Sequence, residues 1–158
     1  MNSHHTVAIG TWEGDKQQSI EYNSSIAVGI DCPRAKLRVS ILLDTIQEYQ
    51  VRYIFSDEEI SEAVNEAGLI IGARGIAYEG VLQRKPVIVV GEYGFGGLVT
   101  PDTLHEQYNN YVGGKINGIK AEYFSLERLE EEIRRGFALT FQELQMMSNQ
   151  TIRFLHNI

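Results

Sequence analysis

Residues 72–86 read GARGIAYEGVLQRKP, and residues 87–97 continue VIVVGEYGFGG. The apolar run Leu69, Ile70, Ile71 comes immediately before. The segment therefore spells a buried strand, a small-residue turn, a short helix carrying Glu79, and a second apolar strand over 87–90. Neither strand alternates polar with apolar residues, which is the pattern of central strands covered by helices on both faces. Open parallel sheets of this kind take ligands beyond the carboxyl ends of their strands, and the free amides at a helix start suit a phosphate.

Working outward, the chain alternates short apolar runs with helical patterns. Residues 6–11 (TVAIGT) and 26–30 (IAVGI) are short and β-branched, so both read as strands. About fourteen residues separate them, near the minimum for a parallel crossover. Gly14, Asn23 and two serines argue against a connecting helix, and a hairpin through residues 19–22 is the competing reading. After Pro33, Val39, Leu42, Leu43, Ile46 and Tyr49 recur at spacings of three and four, which marks one face of a helix. Residues 51–55 (VRYIF) form the next strand, Ser56 and Glu59 form a capping box, and Gly68 ends the helix that follows.

Downstream, Thr100, Pro101 and Asp102 make a helix start, and that helix ends near residues 111–114. Residues 120–124 are expected as a last strand. Ser125 then caps a helix whose Leu126, Leu129, Ile133, Phe137, Phe141 and Leu144 form one apolar stripe, leaving a weakly helical tail from 146. The alternation predicts an α/β protein: a single doubly wound parallel-sheet, Rossmann-like domain over 1–158.

Composition bounds the partners. The 158 residues are 43% hydrophobic, enough for one good core, and the formal charge of −7 provides no basic stripe for a nucleic-acid backbone. A small anion held by backbone amides remains compatible. The single cysteine, Cys32, allows neither an internal disulfide nor a thiolate cluster. No apolar run reaches the roughly 18 to 20 residues of a membrane span, and the N-terminus lacks a charged-then-apolar leader. A soluble, cytoplasmic protein is the expectation.

Two glycine-rich turns follow the central strands. At Gly72, Ala73, Arg74 and Gly75, small residues let the backbone approach a phosphate, amides point at it, and Arg74 adds a charge-assisted contact. The alternative is a tight strand-to-helix turn with no ligand. Glu79, one helical turn on, is placed to accept two ribose hydroxyls, or is a solvated surface acid. At residues 91–97, four glycines in seven residues read as a loop, with Tyr93 and Phe95 either stacking on a ligand or plugging the core edge.

The string EGVLQRKPVI from Glu79 to Ile88 resembles the glutamate, helix, proline and strand of the C-terminal, donor-binding half of GT-B glycosyltransferases. The continuation GEYGFGGLVTPDTLHEQYNNYVGG resembles a bacterial subgroup of glycosyltransferase-like proteins. The resemblance runs from about Ser56 to Gly114. It implies half of a GT-B fold that binds a UDP- or GDP-type nucleotide-diphosphate sugar, without metal or other cofactor. Gly72, Ala73, Arg74 and Gly75 would hold the phosphates, Glu79 the ribose, and Gly94, Phe95, Gly96 and Gly97 the sugar.

The departures from the pattern matter equally. Ile71 stands where many retaining members carry a second glutamate, and Arg84 stands where a small residue precedes the lysine-proline pair. A complete GT-B enzyme also needs a second, acceptor-binding domain, so no catalytic residue is assigned here. The expected partner is a second glycosyltransferase subunit or another copy of the chain. The alternative is a non-catalytic nucleotide-binding or protein-interaction module. His4 and His5 adjoin the terminus and, being adjacent on a strand, point to opposite faces, so no metal is placed there. His105 beside Glu106 reads as a solvated face. Cys32 has no histidine nearby to activate it.

Overall fold

The computed structural model describes residues 4–10, 17–110, 112, 114, 120 and 123–157. Two strands, β1 (His4–Gly10) and β2 (Gln17–Asn23), pair antiparallel as a separate hairpin, with Val7 opposite Ile20. This is the competing reading of the N-terminal segment. The first apolar run therefore makes no parallel crossover into the main sheet.

That sheet has five strands: β3 (Ile26–Gly29), β4 (Val51–Tyr53), β5 (Leu69–Gly72), β6 (Val87–Gly91) and β7 (Gly94–Leu98). Their spatial order is β4-β3-β5-β6-β7, parallel except for the β6–β7 pair. Helices α1 (Pro33–Ile46), α2 (Ile60–Glu66), α3 (Gly75–Leu82), α4 (Leu104–Asn109), α5 (Leu126–Phe137) and α6 (Phe141–His156) flank it. The architecture is the expected Rossmann-like α/β fold, with an antiparallel edge strand.

The period of two along the central strands sorts side chains into two cores. Ile26, Val28, Leu69, Ile71, Ile88 and Val90 pack with Val39 and Leu43 of α1 and with Leu129 and Ile133 of α5. The intervening Ala27, Ile70, Val87 and Val89 pack on the other face with Val64 of α2, Ala77 and Val81 of α3, Tyr108 of α4 and Met147 of α6. Each valine, leucine and isoleucine among them contributes about 1.5–3 kcal/mol on burial. From β3 the chain crosses by α1 to β4, then returns by α2 past β3 to β5. Right-handed crossovers place α1 and α2 on opposite faces when the direction of travel reverses, as observed.

The largest correction concerns residues 91–97. The expected loop is only the two-residue turn Glu92–Tyr93; Gly94, Phe95, Gly96 and Gly97 belong to β7, every residue of which is buried. Val89 pairs with Gly97 and Val90 with Phe95, so Gly96 is an extra residue that bulges the strand. Gly94 (φ 127°) and Gly97 (φ 83°) adopt conformations that side chains resist, one at the turn and one at the bulge. Their glycines serve strand geometry. Phe95 is 0% exposed and stacks on Phe124 with ring centroids 4.6 Å apart.

The expected last strand over 120–124 is absent among its described residues. Tyr123 N–H donates to the Lys120 carbonyl at 3.0 Å to close a turn, and residues 121–122 lie outside the described ones. Arg38 anchors this turn, its Nε and Nη2 donating to the Phe124 carbonyl at 3.0 and 2.7 Å. The edge amide of Leu98 instead donates to Glu132 of α5, an acid only 2% exposed and paired with Arg128 and Arg135.

Local expectations also change, among them the helix start at Thr100, since α4 begins at Leu104 with Thr103 as its N-cap. Ser56 makes no side-chain cap; Glu59 reaches one residue further back, accepting the Phe55 N–H at 3.2 Å. Gly68 does not end α2 by a left-handed turn. A Cβ there would overlap the Asn23 carbonyl, so glycine is required for the hairpin's end to approach β5. The single stripe from Leu126 to Leu144 splits at 138–140, because Thr140 and Glu143 form a capping box that starts a new helix, and Phe141 is 67% exposed. The tail is a full helix to His156. The Ser125 cap holds, its hydroxyl accepting the Arg128 N–H at 3.1 Å.

Two outcomes follow from this packing. Phe95→Ala should cost about 4 kcal/mol of unfolding free energy, read as a lower urea midpoint at constant slope, where a residue bordering a ligand would leave the midpoint unchanged. Burial pushes the Tyr108 phenol up to about 12, against the opposing effect of its hydrogen bond to Thr151. Because the folded value lies above the unfolded one, this stabilisation is complete below about pH 10 and is lost as pH climbs towards 12. Urea titrations near pH 9 and near pH 11.5 should show a loss that Tyr108→Phe reduces, with the phenol of Tyr53, also raised by burial, contributing to what is left.

Candidate functional site

The strand order reverses between β3 and β5, and this is where the open sheet leaves a crevice at its carboxyl edge. Two clefts occupy it. One, of about 90 Å³, lies among Gly29, Asp31, Phe55, Asp57, Arg74 and Gly75, and the other, of about 250 Å³, among Gly29, Asp31, Cys32, Ala73, Arg74 and Glu92. Gly29, Asp31, Ala73 and Arg74 are common to both walls. The sequence singled out the β5 side of this crevice. The β3 side, Gly29 and Asp31, went unnoticed because only strand order brings the end of IAVGI against the turn.

Helix α3 is seated directly on this crevice by missing side chains. A Cβ on Gly72 would stand 2.5 Å from the Gly29 carbonyl oxygen and 2.6 Å from Cγ2 of Ile76, and a Cβ on Gly29 would stand 2.6 Å from Cδ1 of Ile76. Both glycines thus let Ile76 wedge into the two strands. Gly72 is a buried strand residue occupied by internal packing. Gly75 differs: a Cβ there meets nothing within 4 Å, so the first residue of α3 faces open space.

Arg74 is the N-cap of α3 with φ 58° and ψ −123°, and no side chain caps the helix. These are the angles of the first central residue of a type II′ turn, a position that glycine favours and that costs other residues about 1–3 kcal/mol. Its own N–H donates to the Val112 carbonyl at 3.1 Å, so one of the expected phosphate donors is already engaged. Val112 is itself at φ 53°, and its N–H donates to the Gln107 carbonyl at 2.9 Å. The Arg74 guanidinium pairs with Glu92 and lies 5.8 Å from the Tyr93 ring centre.

The remaining candidates fall in different places. Glu79 is one turn along α3 and borders neither cleft; its carboxylate accepts the Gln83 side-chain amide at 2.8 Å. Gln83 in turn donates to the Ser61 carbonyl of α2 at 3.2 Å. Gly94, Phe95, Gly96 and Gly97 are buried in β7 and line neither cleft. Gly96 is hemmed in by Gln107, whose Nε2 donates to the Gly96 carbonyl at 3.0 Å and whose Oε1 has no hydrogen-bond partner among the described residues. His105 is exposed beside the exposed Glu106. Cys32 is the N-cap of α1 and borders the larger cleft. His4 and His5 lie in β1, and their side chains are outside those described.

Arg84 explains its own departure from the sequence pattern. It sits at φ 60° after α3, where its N–H donates to the Val81 carbonyl and the Lys85 N–H to the Gly80 carbonyl. That is the paired closure of a helix end which glycine usually makes.

The electrostatics of the crevice are acidic. Among the described residues lining the clefts, Arg74 is the one cation, facing the carboxylates of Asp31, Asp57 and Glu92. No group of three or more metal-ligating side chains occurs among the described residues, and no helix among them is long and apolar enough to cross a membrane. No protein-family model, curated protein or solved structure matches the chain.

Since Arg74 holds a glycine-type conformation, Arg74→Gly should raise unfolding stability by about 1 kcal/mol, net of the looser unfolded chain. Urea unfolding of the variant beside the wild type measures it. An unchanged or lower midpoint would mean that the turn carries no strain.

Proposed function

We propose that the chain binds a nucleotide-diphosphate sugar in the crevice between β3 and β5, as the donor-binding half of a GT-B-like glycosyltransferase. One observation carries the reading: an uncapped helix start, opening onto free space at Gly75, coincides with the clefts at the point of strand-order reversal. The amides of Gly75 and Ile76, with the guanidinium of Arg74, supply donors to a diphosphate. Asp31 and Asp57 supply carboxylate acceptors for hydroxyls of ribose or sugar. Phe55, 77% exposed on the rim of the smaller cleft with Lys36 Nζ 4.2 Å from its ring centre, offers an aromatic surface for a base. Within this reading the chain holds and orients the donor, and the acceptor and the general base come from a second domain or subunit.

The ribose has two possible partners. Glu79 borders neither cleft and one of its carboxylate oxygens holds Gln83, whereas Asp31 borders both clefts. The second reading, a non-catalytic interaction module, is favoured by one side of α6, along which Phe141, Ile152 and Leu155 are exposed.

A thermal-shift panel of UDP, GDP, their sugars, FMN and NAD separates the readings. At about a hundredfold excess over Kd, a ligand of the folded state adds about 2.7 kcal/mol, which is several degrees of melting temperature. A shift with UDP- or GDP-sugars that disappears in Asp31→Asn but survives in Glu79→Ala assigns the ribose to Asp31, and the opposite pattern returns it to Glu79. No shift with any nucleotide overturns the proposal and leaves the interaction module.

A further inference from the structure

We infer that Glu92 is an internal stand-in for the ligand's phosphate: it occupies Arg74 in the empty site and sets how strongly the crevice takes up an anion. The inference rests on the phosphate reading of the same crevice. It starts from a mismatch of charge. An anion entering either cleft meets one lining cation, Arg74, and two carboxylates, Asp31 with Asp57 or with Glu92, and the cation is already paired.

The pairing is built from a different part of the fold. Arg74 begins α3, while Glu92 is in the two-residue turn between β6 and β7, one strand away in the sheet. The glycines on either side, Gly91 and Gly94, are paired with each other, so the turn is tight and its two side chains are carried to the carboxyl edge. Glu92 and Tyr93 then hold the guanidinium together, one by charge and one by its ring. The Arg74 backbone is occupied as well, its N–H donating to Val112. Both groups that Arg74 would give a phosphate thus already have a partner within the chain.

The balance favours displacement. Arg74 and Glu92 are each about half exposed, at 51% and 49%, and pairs of that kind add little to folding stability. The carboxylate also opposes a diphosphate seated on the same guanidinium, because the like charges would then lie side by side. Removing the charge while keeping the shape should therefore free Arg74 for the ligand without loosening the fold.

Isothermal titration of the wild type, Glu92→Gln, Arg74→Gln and the double variant, with UDP and uridine as probes, tests this. Glu92→Gln should bind UDP about tenfold more tightly than the wild type, bind uridine with unchanged affinity, and melt within a few degrees of the wild type when no ligand is present. The gain should vanish in the double variant relative to Arg74→Gln alone, because it acts through the guanidinium. Wild-type binding of UDP that Glu92→Gln leaves equal or weakens would overturn the inference, as would an equal gain for uridine. Failure of both the wild type and Glu92→Gln to bind UDP, GDP or their sugars would instead remove the phosphate reading on which the inference rests.

Discussion

The close approach of α3 to β3 and β5 is the constraint on which the rest of the molecule depends. Gly29 and Gly72 pair across the two strands, and the space left by their absent side chains is filled by Ile76 from the first turn of α3. A Cβ at Gly72 would meet both the Gly29 carbonyl oxygen of β3 and Cγ2 of Ile76, so strand and helix would both have to shift, while at Gly29 it would displace the tip of the Ile76 side chain. The wedge has two effects. It joins the β5–α3 unit to the strand beyond the reversal of order, and it brings the uncapped helix start to the carboxyl edge of both strands at once.

The neighbouring segments follow from that placement. Because α3 is held low on the sheet, the turn at Arg74 is sharp enough to need a glycine-like conformation, and the segment after α4 closes over it through Val112. Strain at a site is informative when it is observed rather than assumed. Here two non-glycine residues at positive φ, Arg74 and Val112, are joined by one hydrogen bond at the border of the crevice.

The parts of the fold written in local pattern were legible, and those set by distant contacts were not. Apolar runs at 69–71 and 87–90, the α1 stripe and the Ser125 cap all encode their own structure, because each depends on neighbours within a turn or a strand. The segment GFGG defeated local reading. Its glycines look like a flexible loop, but they answer to a bulge opposite Val89 and to the crowding of Gln107 against Gly96, neither of which is written nearby. The break at Thr140 was available as a capping box and was masked by the apolar residues on both sides of it. Half of the candidate site was visible as the turn at 72–75. The other half, Asp31 and Glu92, depended on knowing which strand ends lie side by side.

The two borders of the sheet are finished differently, and this has a consequence for how the chain behaves in a crowded solution. On one border the buried Glu132 takes the Leu98 amide that a foreign backbone would seek. On the other, β4 is only three residues long and carries Arg52, which is tied to Glu59, Glu62 and Glu66. Short, charged or shielded margins offer a poor template for intruding polypeptide. A five-stranded sheet so rich in β-branched residues at its centre is thereby a poor seed for fibrils.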